Sequence, residues 1–404
     1  TYAKPQIIFK QMKDQVSAVF NGTVKLGVLG GGQLGKMMAL PAANWQLPYW
    51  VLDKDENMSA APYATHFVAG NFREEEDVLA FGRQVDVLTI EIEHVHTGAL
   101  HKLVAEGITV HPNPEVLDII KDKGLQKQFY TKYNLPTSPY RLYADEQALK
   151  AAVSEGSLQF PFVQKSRTGG YDGQGVALIR GVDDLENKLL PGPALVEELV
   201  DIEKELAVVV ARNANGESRS FPLVEMVFDP EANLVDYLLA PADVAEKVNE
   251  AAIELAERTA AAFGLSGLLA VELFLTKSGE ILINEVAPRP HNSGHHTIES
   301  CITSQFEQHL RGVLNLPLGS TELLQPALML NILGAEGYTG ATQYAGLDEV
   351  LAMPGVFVHL YGKRTMRPYR KMGHVTIMGK TREELLAKAK AVKENLRCLG
   401  AEKL

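Results

Sequence analysis

Cysteine is nearly absent from this chain: Cys301 and Cys398 are the only two among 404 residues, and they stand in no metal-like spacing. Their scarcity excludes a disulfide framework and a thiolate zinc site, and it fits a reducing cytosol. Long apolar runs are missing as well. No stretch approaches the roughly 20 residues that span a bilayer, and the opening residues lack the basic, apolar and small-residue order of a secretion signal, so a cytoplasmic protein is expected. Positive charge is in deficit, with 39 Lys and Arg against 50 Asp and Glu and a net charge of -11. That balance argues against a protein built to coat nucleic acid or an acidic membrane, while leaving room for a local basic site. What the chain does have is 46% hydrophobic residues and a length suited to two or three domains.

The segment "VKLGVLGGGQLGKMMALPAA" from Val24 reads as a buried strand that turns through glycines into a helix, and "PYWVLDKD" supplies the next strand. With "VDVLTIEIEHV" at 85–95, this predicts an open, mainly parallel sheet ending near "ITVHPNP" at 108–114. The first 23 residues have no place in that unit. The middle region reads as a helix "PEVLDIIKDKGLQKQFYTKYN", strands "FPFVQK", "PALVEELV" and "ELAVVVARN", a helix over 242–263, and two strands around Gly279. From about Leu316 the tail offers a strand "PALMLNILG", a basic hairpin-like piece and a last helix "TREELLAKAKAVKENL", the pattern of a small third domain.

Near the start, "GGGQLG" fits G-x-G-x-x-G through Gly30, Gly32 and Gly35, and Asp53 ends the next strand at about the spacing of a ribose-binding acid. Amides at such a helix start approach a phosphate closely, so the motif suits a dinucleotide or another phosphorylated ligand. A second glycine loop, "KSRTGGYDGQGV" at 165–176, follows the strand "FPFVQ". Its glycines can fold over phosphates while Lys165 adds a positive charge; it is no Walker A loop, and a plain surface hairpin is the alternative. Glu197 and Glu198 end another apolar strand, with Glu205 beyond them. Acceptors there can hold an adenine amino group or ribose hydroxyls, although exposed glutamates are common.

Between "LLAVELFLT" and "EILINEV", a two-residue Ser278-Gly279 turn would set Glu272 opposite Glu285. Two carboxylates about 5 Å apart at Cβ repel each other, and a hard cation shared with nucleotide phosphates relieves that repulsion. A different register would send one of them to solvent. Just beyond, "VAPRPHNSGHH" crowds Arg289, His291, Asn292, His295 and His296 near the pair, without an H-E-x-x-H zinc spacing. In the tail, "YGKRTMRPYRKMGH" gathers Lys363, Arg364, Arg367, Arg370 and Lys371, which suits either a phosphate pocket or a solvated basic hairpin.

Taken in order, "GGGQLGK", "TIEIEHV", "KSRTGGYDGQG", "INEVAPRPHNSGH" and "RKMGH" resemble the carboxylating ATP-grasp enzymes of purine biosynthesis over nearly the whole chain from Val24. The resemblance implies an α/β fold of ATP-grasp architecture. An N-terminal extension (1–23) would precede a Rossmann-like pre-ATP-grasp domain (24–111), an ATP-grasp domain (112–315) with a mobile lid at about 137–203, and a C-terminal domain (316–404). It also implies MgATP, with Mn²⁺ as a substitute, phosphorylation of bicarbonate to carboxyphosphate, and carboxylation of the exocyclic amine of 5-aminoimidazole ribonucleotide. N5-carboxyaminoimidazole ribonucleotide, ADP and phosphate would be the products, made by a cytoplasmic homodimer.

By the same resemblance, Lys123 and Lys165 would contact ATP phosphates beneath a flap containing Gly170, Tyr171, Asp172, Gly173 and Gly175. Glu197, Glu198, Val200 and Glu205 would hold adenine and ribose, with Glu197 acting through its side chain or its backbone. Glu272 and Glu285 would carry the metal beside Asn284. Gln33, Leu34, Glu91 and Asn292 would meet the ribonucleotide, and Lys363, Arg370 and Lys371 its phosphate. Arg289 and His291, with Lys165, would be catalytic, the first two holding bicarbonate or carboxyphosphate. Position 123 is lysine where the family often has arginine, which keeps the charge but loses the fork. Formate-dependent glycinamide ribonucleotide transformylases share "EIE" and "PRPH"-like features, but "HNSGH" and "RKMGH" favour the carboxylating enzymes. An NAD-dependent oxidoreductase would account for the first glycine motif alone.

Overall fold

The computed structural model describes residues 18–169, 175–229 and 234–403. Its first unit is a parallel sheet of β1 (Leu26–Leu29), β2 (Tyr49–Asp53), β3 (His66–Ala69), β4 (Val87–Ile90) and β5 (Thr109–Val110), in the order β3-β2-β1-β4-β5. All four residues of β1 are buried because both faces of the sheet are covered by helices, as parallel strands require. Met37 and Met38 of helix Gln33–Asn44 pack on one face, and Phe81, Leu100 and Leu103 on the other.

The helix expected to run unbroken from Pro114 is two helices, Pro114–Ile120 and Lys123–Lys132. Asp122 divides them: its carboxylate accepts from the amides of Gly124 (2.8 Å) and Leu125 (3.2 Å), so it caps the second helix and places Lys123 at its first turn. A four-stranded antiparallel sheet follows, built from β6 (Tyr140–Tyr143), β7 (Phe162–Ser166), β8 (Val176–Ile179) and β9 (Ala194–Glu198) in the order β6-β9-β7-β8. Leu149, Phe162, Ile179 and Val196 give it a core of its own.

The large antiparallel sheet begins with β10 (Ile202–Arg212), β11 (Ser218–Ser220), β12 (Val224–Asp229), β13 (Leu234–Ala240), β14 (Gly267–Thr276) and β15 (Ile281–Ala287). The tail adds β16 (Ala327–Leu333), β17 (Tyr338–Ala345), β18 (Val356–Leu360), β19 (Thr365–Met366), β20 (Lys371–Met378) and β21 (Arg397–Lys403). Strands β16, β20 and β18 continue the same sheet, because β13 pairs with β16 from Tyr237 opposite Leu330 to Ala240 opposite Ala327. Its path runs β15-β14-β10-β12-β13-β16-β20-β18, while β19, β17 and β21 form a small separate sheet. The long helix on this sheet starts at Glu246, four residues later than position 242, and ends at Gly264 in the left-handed conformation (φ 61°).

The hairpin β14–β15 corrects one expectation while keeping its result. The connection is a three-residue loop, Lys277 to Gly279, closed by the Thr276 amide on the Glu280 carbonyl (2.9 Å), with Gly279 at φ 85°. By itself that loop pairs Leu275 with Ile281 and Leu273 with Ile283, one residue out of the register a two-residue turn would set. A β-bulge at Asn284 restores the count, and Glu272 stands opposite Glu285.

Candidate active site

Strands β14 and β15 bring the two glutamates together, and each is met by a cation or donor from elsewhere. The Lys123 ammonium pairs with Glu285, while His291 Nε2 lies 3.3 Å from Glu272. The bulged Asn284 reaches both sides, accepting from Lys165 Nζ at 2.9 Å and approaching Glu272 with its amide nitrogen at 3.5 Å. Burial and the charge of Glu285 raise the Glu272 carboxyl. Burial acts the same way on Glu285, but the adjoining Lys123 ammonium prevails and holds it below the usual range. Among the described residues no group of three or more His, Cys, Asp or Glu side chains could hold a metal. Two carboxylates suit Mg²⁺, which takes one or two from protein and the rest of its shell from phosphate and water.

Next to the pair, Lys165 of β7 and Lys127 of helix Lys123–Lys132 both grip Glu197 of β9, the former at 2.6 Å. Ser138 Oγ donates to the same carboxylate at 2.5 Å. Burial opposes the charge on Glu197, yet the two ammonium groups pull its carboxyl down to about 2. Lys127 in turn is pushed down to about 8 by burial. The Glu197 carboxylate is thus engaged by three side chains at once. Glu198 is exposed, Val200 is partly buried, and Glu205, facing Met226 of β12, is pushed up to about 7 by burial. Lys123, Lys127, Lys165, Asn284 and Glu285 line one small cavity of about 10 Å³ that their side chains nearly fill.

The base of the glycine loop is anchored. Arg167 forms a forked pair with Asp122, Nε to Oδ1 at 2.8 Å and a terminal nitrogen to Oδ2 at 2.5 Å, and its carbonyl accepts from the Lys123 amide at 2.8 Å. Gly175 returns the chain to Ser166 by its carbonyl (2.9 Å). Gly170, Tyr171, Asp172 and Gly173 lie outside the described residues.

Past β15, Arg289 pairs through Nε with Glu93 at 2.8 Å, which ties this loop to the first domain. His291 Nδ1 accepts from the Ser293 amide (3.3 Å), an arrangement that leaves Nε2 as the donor toward Glu272. Asn292 opens a short 3₁₀ turn beside it. His295 and His296 are both buried, the first against Gln305 and His374 and the second on Ser300, and His296 is pushed down to about 4 by burial.

The first glycine motif is filled from within. The Glu91 carboxylate accepts from the amides of Gly32 and Gly35, each at 2.5 Å, and Asp53 accepts from Gly31 at 2.7 Å. The amides and the acid that would bind a dinucleotide are thus satisfied by each other, and the oxidoreductase reading loses its only support. Gln33 is partly buried at this turn, whereas Leu34 belongs to the core and has only its backbone to offer a ligand. Facing the turn, Lys36 donates to the Leu360 carbonyl (2.7 Å) and Lys363 to the Lys371 carbonyl (2.7 Å). Burial and then Arg370 push the Lys363 ammonium down to about 8. A cavity of about 360 Å³ lined by Arg73, His94, His96 and Lys121 contains none of the expected residues.

Three domain descriptions match in order: a ribonucleotide synthetase pre-ATP-grasp domain over 23–121, an ATP-grasp domain over 128–306 and a phosphoribosylaminoimidazole carboxylase C-terminal domain over 327–388. The N5-carboxyaminoimidazole ribonucleotide synthase of Bacillus subtilis is 36% identical over 369 residues, covering 91% of this chain and 94% of that protein. The chain belongs to the N5-carboxyaminoimidazole ribonucleotide synthase family. It is an ATP-grasp ligase. The chloroplastic phosphoribosylaminoimidazole carboxylase of Vigna aconitifolia is 42% identical, and this chain spans only 64% of its length. Among solved structures, the Thermotoga maritima N5-carboxyaminoimidazole ribonucleotide synthetase is 45% identical with a TM-score of 0.86, covering 94% of this chain and all (100%) of that one. The Aspergillus clavatus enzyme, in complex with ADP and 5-aminoimidazole ribonucleotide, is 34% identical with a TM-score of 0.84, covering 92% of this chain and 98% of that one.

Four residues that brace this cluster were not singled out in the sequence: Lys127, Asp122, Arg167 and Glu93. Each has a partner distant in sequence, which local pattern does not supply. "KDKGLQK" did hold one signal, since lysines four apart at 123 and 127 share a helix face.

Proposed function

We propose that this chain carboxylates 5-aminoimidazole ribonucleotide at the expense of ATP, with bicarbonate as the carbon source. Bicarbonate oxygen attacks the γ-phosphorus, the bond to the β-phosphate oxygen breaks, and ADP leaves. The ribonucleotide amine then forms a bond to the carboxyl carbon of carboxyphosphate as phosphate departs and the amine loses a proton. The observation that carries the reading is the opposed Glu272–Glu285 pair, with the Lys123 ammonium on Glu285, the His291 ring on Glu272 and the Lys165 ammonium on Asn284 between them.

Lys123 and Lys165 would hold the transferred phosphoryl group, which needs positioning and charge neutralisation more than covalent help. Bound at Glu272 and Glu285, Mg²⁺ or Mn²⁺ would neutralise charge between the phosphates. The Glu93 carboxylate, 2.8 Å from Arg289 Nε, would help to hold that guanidinium toward a planar anion. Glu198, Val200, Glu205 and the undescribed flap would enclose the nucleotide, while Gln33, Glu91, Asn292, Lys363, Arg370 and Lys371 would receive the ribonucleotide. A cytoplasmic homodimer, with the domain limits given above, completes the proposal.

The test is ADP release measured with bicarbonate plus 5-aminoimidazole ribonucleotide, against formate plus glycinamide ribonucleotide. Turnover is expected with the first pair only. Dependence on formate would assign the chain to the other reaction.

A further inference from the structure

Helix Gln305–Val313 carries three fully buried polar side chains, Gln305, Gln308 and His309, in the segment "SQFEQH". Buried polar groups are retained where their hydrogen bonds are met, and these partners are specific. Gln305 Oε1 accepts from the His291 amide at 2.9 Å, and its Nε2 donates to the His291 carbonyl at 2.7 Å and faces His295 Nδ1 at 3.0 Å. One side chain therefore meets both backbone groups of His291. Its own amide is held by Thr297 Oγ1 at 2.9 Å. The approach is close: a Cβ on Gly294 would come within 2.4 Å of Gln305 Oε1, so a side chain there would displace the Gln305 amide.

The same helix reaches the first domain. His309 Nε2 lies 2.9 Å from Thr89 Oγ1 of β4, the strand that leads into Glu91, and Phe306, Leu310 and Val313 pack with Leu26 and Val28 of β1. Gln305 thus sits where the helix joins the loop bearing Arg289 and His291 to the unit bearing Glu91 and Glu93.

We propose that Gln305 is a positioning residue for the carboxylating end of the site, aiming His291 at Glu272 through the His291 backbone. The proposal rests on the reaction assigned above. Glutamine is suited because it offers one acceptor and two donors to a partner set of one N–H and two acceptors. In Gln305→Glu the acceptor survives, but a carboxylate oxygen confronts the His291 carbonyl and His295.

The experiment pairs Gln305→Glu and Gln305→Leu with His291→Ala. Gln305→Glu is expected to lower kcat by roughly 10- to 100-fold, the usual effect of disturbing the support of a reacting group, with ADP affinity and KM for ATP nearly unchanged. In the His291→Ala background the same change should cost little more, because both act through one group. Independent, multiplying losses would overturn the proposal, as would wild-type kcat in both Gln305 variants. A readout free of turnover is the ¹⁵N spectrum of the His291 ring, which should show one tautomer in the wild type and lose it in Gln305→Glu. An unchanged ring spectrum overturns the proposal whatever the substrate. Absent turnover in the wild type with a changed spectrum would instead count against the assigned reaction.

Discussion

Glu91 shows how much of a residue's surroundings its own sequence neighbours leave out. The resemblance picked it out as a ribonucleotide contact, but nothing local in "TIEIEHV" says that its two oxygens satisfy amides more than fifty positions away. The paired glutamates were reached by counting along the strands, and the count holds only because the bulge at Asn284 offsets the extra loop residue. Glu285→Gln removes half of the anionic pair and should lower kcat for ADP formation by roughly 100-fold or more, since a bridging cation supplies several kcal/mol. Circular dichroism should be unchanged, and undiminished turnover would refute the metal assignment. Lys363 allows a prediction about pH. Its ammonium is pushed down to about 8 by burial, so it is charged at neutrality and loses its proton as pH rises through that value. The kcat/KM for the ribonucleotide should therefore fall above about pH 8, and Lys363→Arg should keep the profile level to about pH 9.

At the scale of elements, apolar runs found β1, β2, β4, β7, β9, β10, β14, β15 and β16, while β3, β6, β8, β12 and β13 were among the strands left unassigned. "LVEMVFDPEANLVDYLLA" mixes charges into its strands because Glu225 is held in place by Lys204 (3.0 Å), a partner that pattern alone cannot supply. The single helix expected from Pro114 was split by a cap whose second task, the fork to Arg167, is tertiary. Asp122→Ala should cost about 0.5 to 2 kcal/mol through the lost cap and should raise KM for ATP, because the helix start carries Lys123. Urea unfolding and steady-state kinetics check the two halves separately; Asp122→Asn should restore most of the stability and less of the KM. The hairpin gives a rule for insertions and deletions: adding or losing one residue in the loop Lys277 to Gly279 leaves Glu285 facing the wrong side unless the bulge at Asn284 changes too.

For the whole molecule, the three-part layout was readable from motif order, but the continuity between parts was not. The tail read as a small third domain, yet β16, β20 and β18 extend the central sheet, and Lys393 pairs with Asp236 and Arg382 with Asp243 across the seam. A chain ended at Gln325 would leave β13 as an unpaired edge and strip its apolar cover, so it should aggregate on size-exclusion chromatography where the full chain does not. The opposite end of the sheet is protected differently. Strand β15 is its last strand, and its outer side is met by the root of the four-stranded unit: the Ile283 amide donates to the Pro136 carbonyl (2.8 Å), and Thr137 Oγ1 to the Ile283 carbonyl (2.7 Å). Deuterium uptake at Ile283 should then time the parting of that unit from the sheet, running ahead of global unfolding and slowing when a nucleotide bridges the two. A single amide would serve as the clock for the cleft.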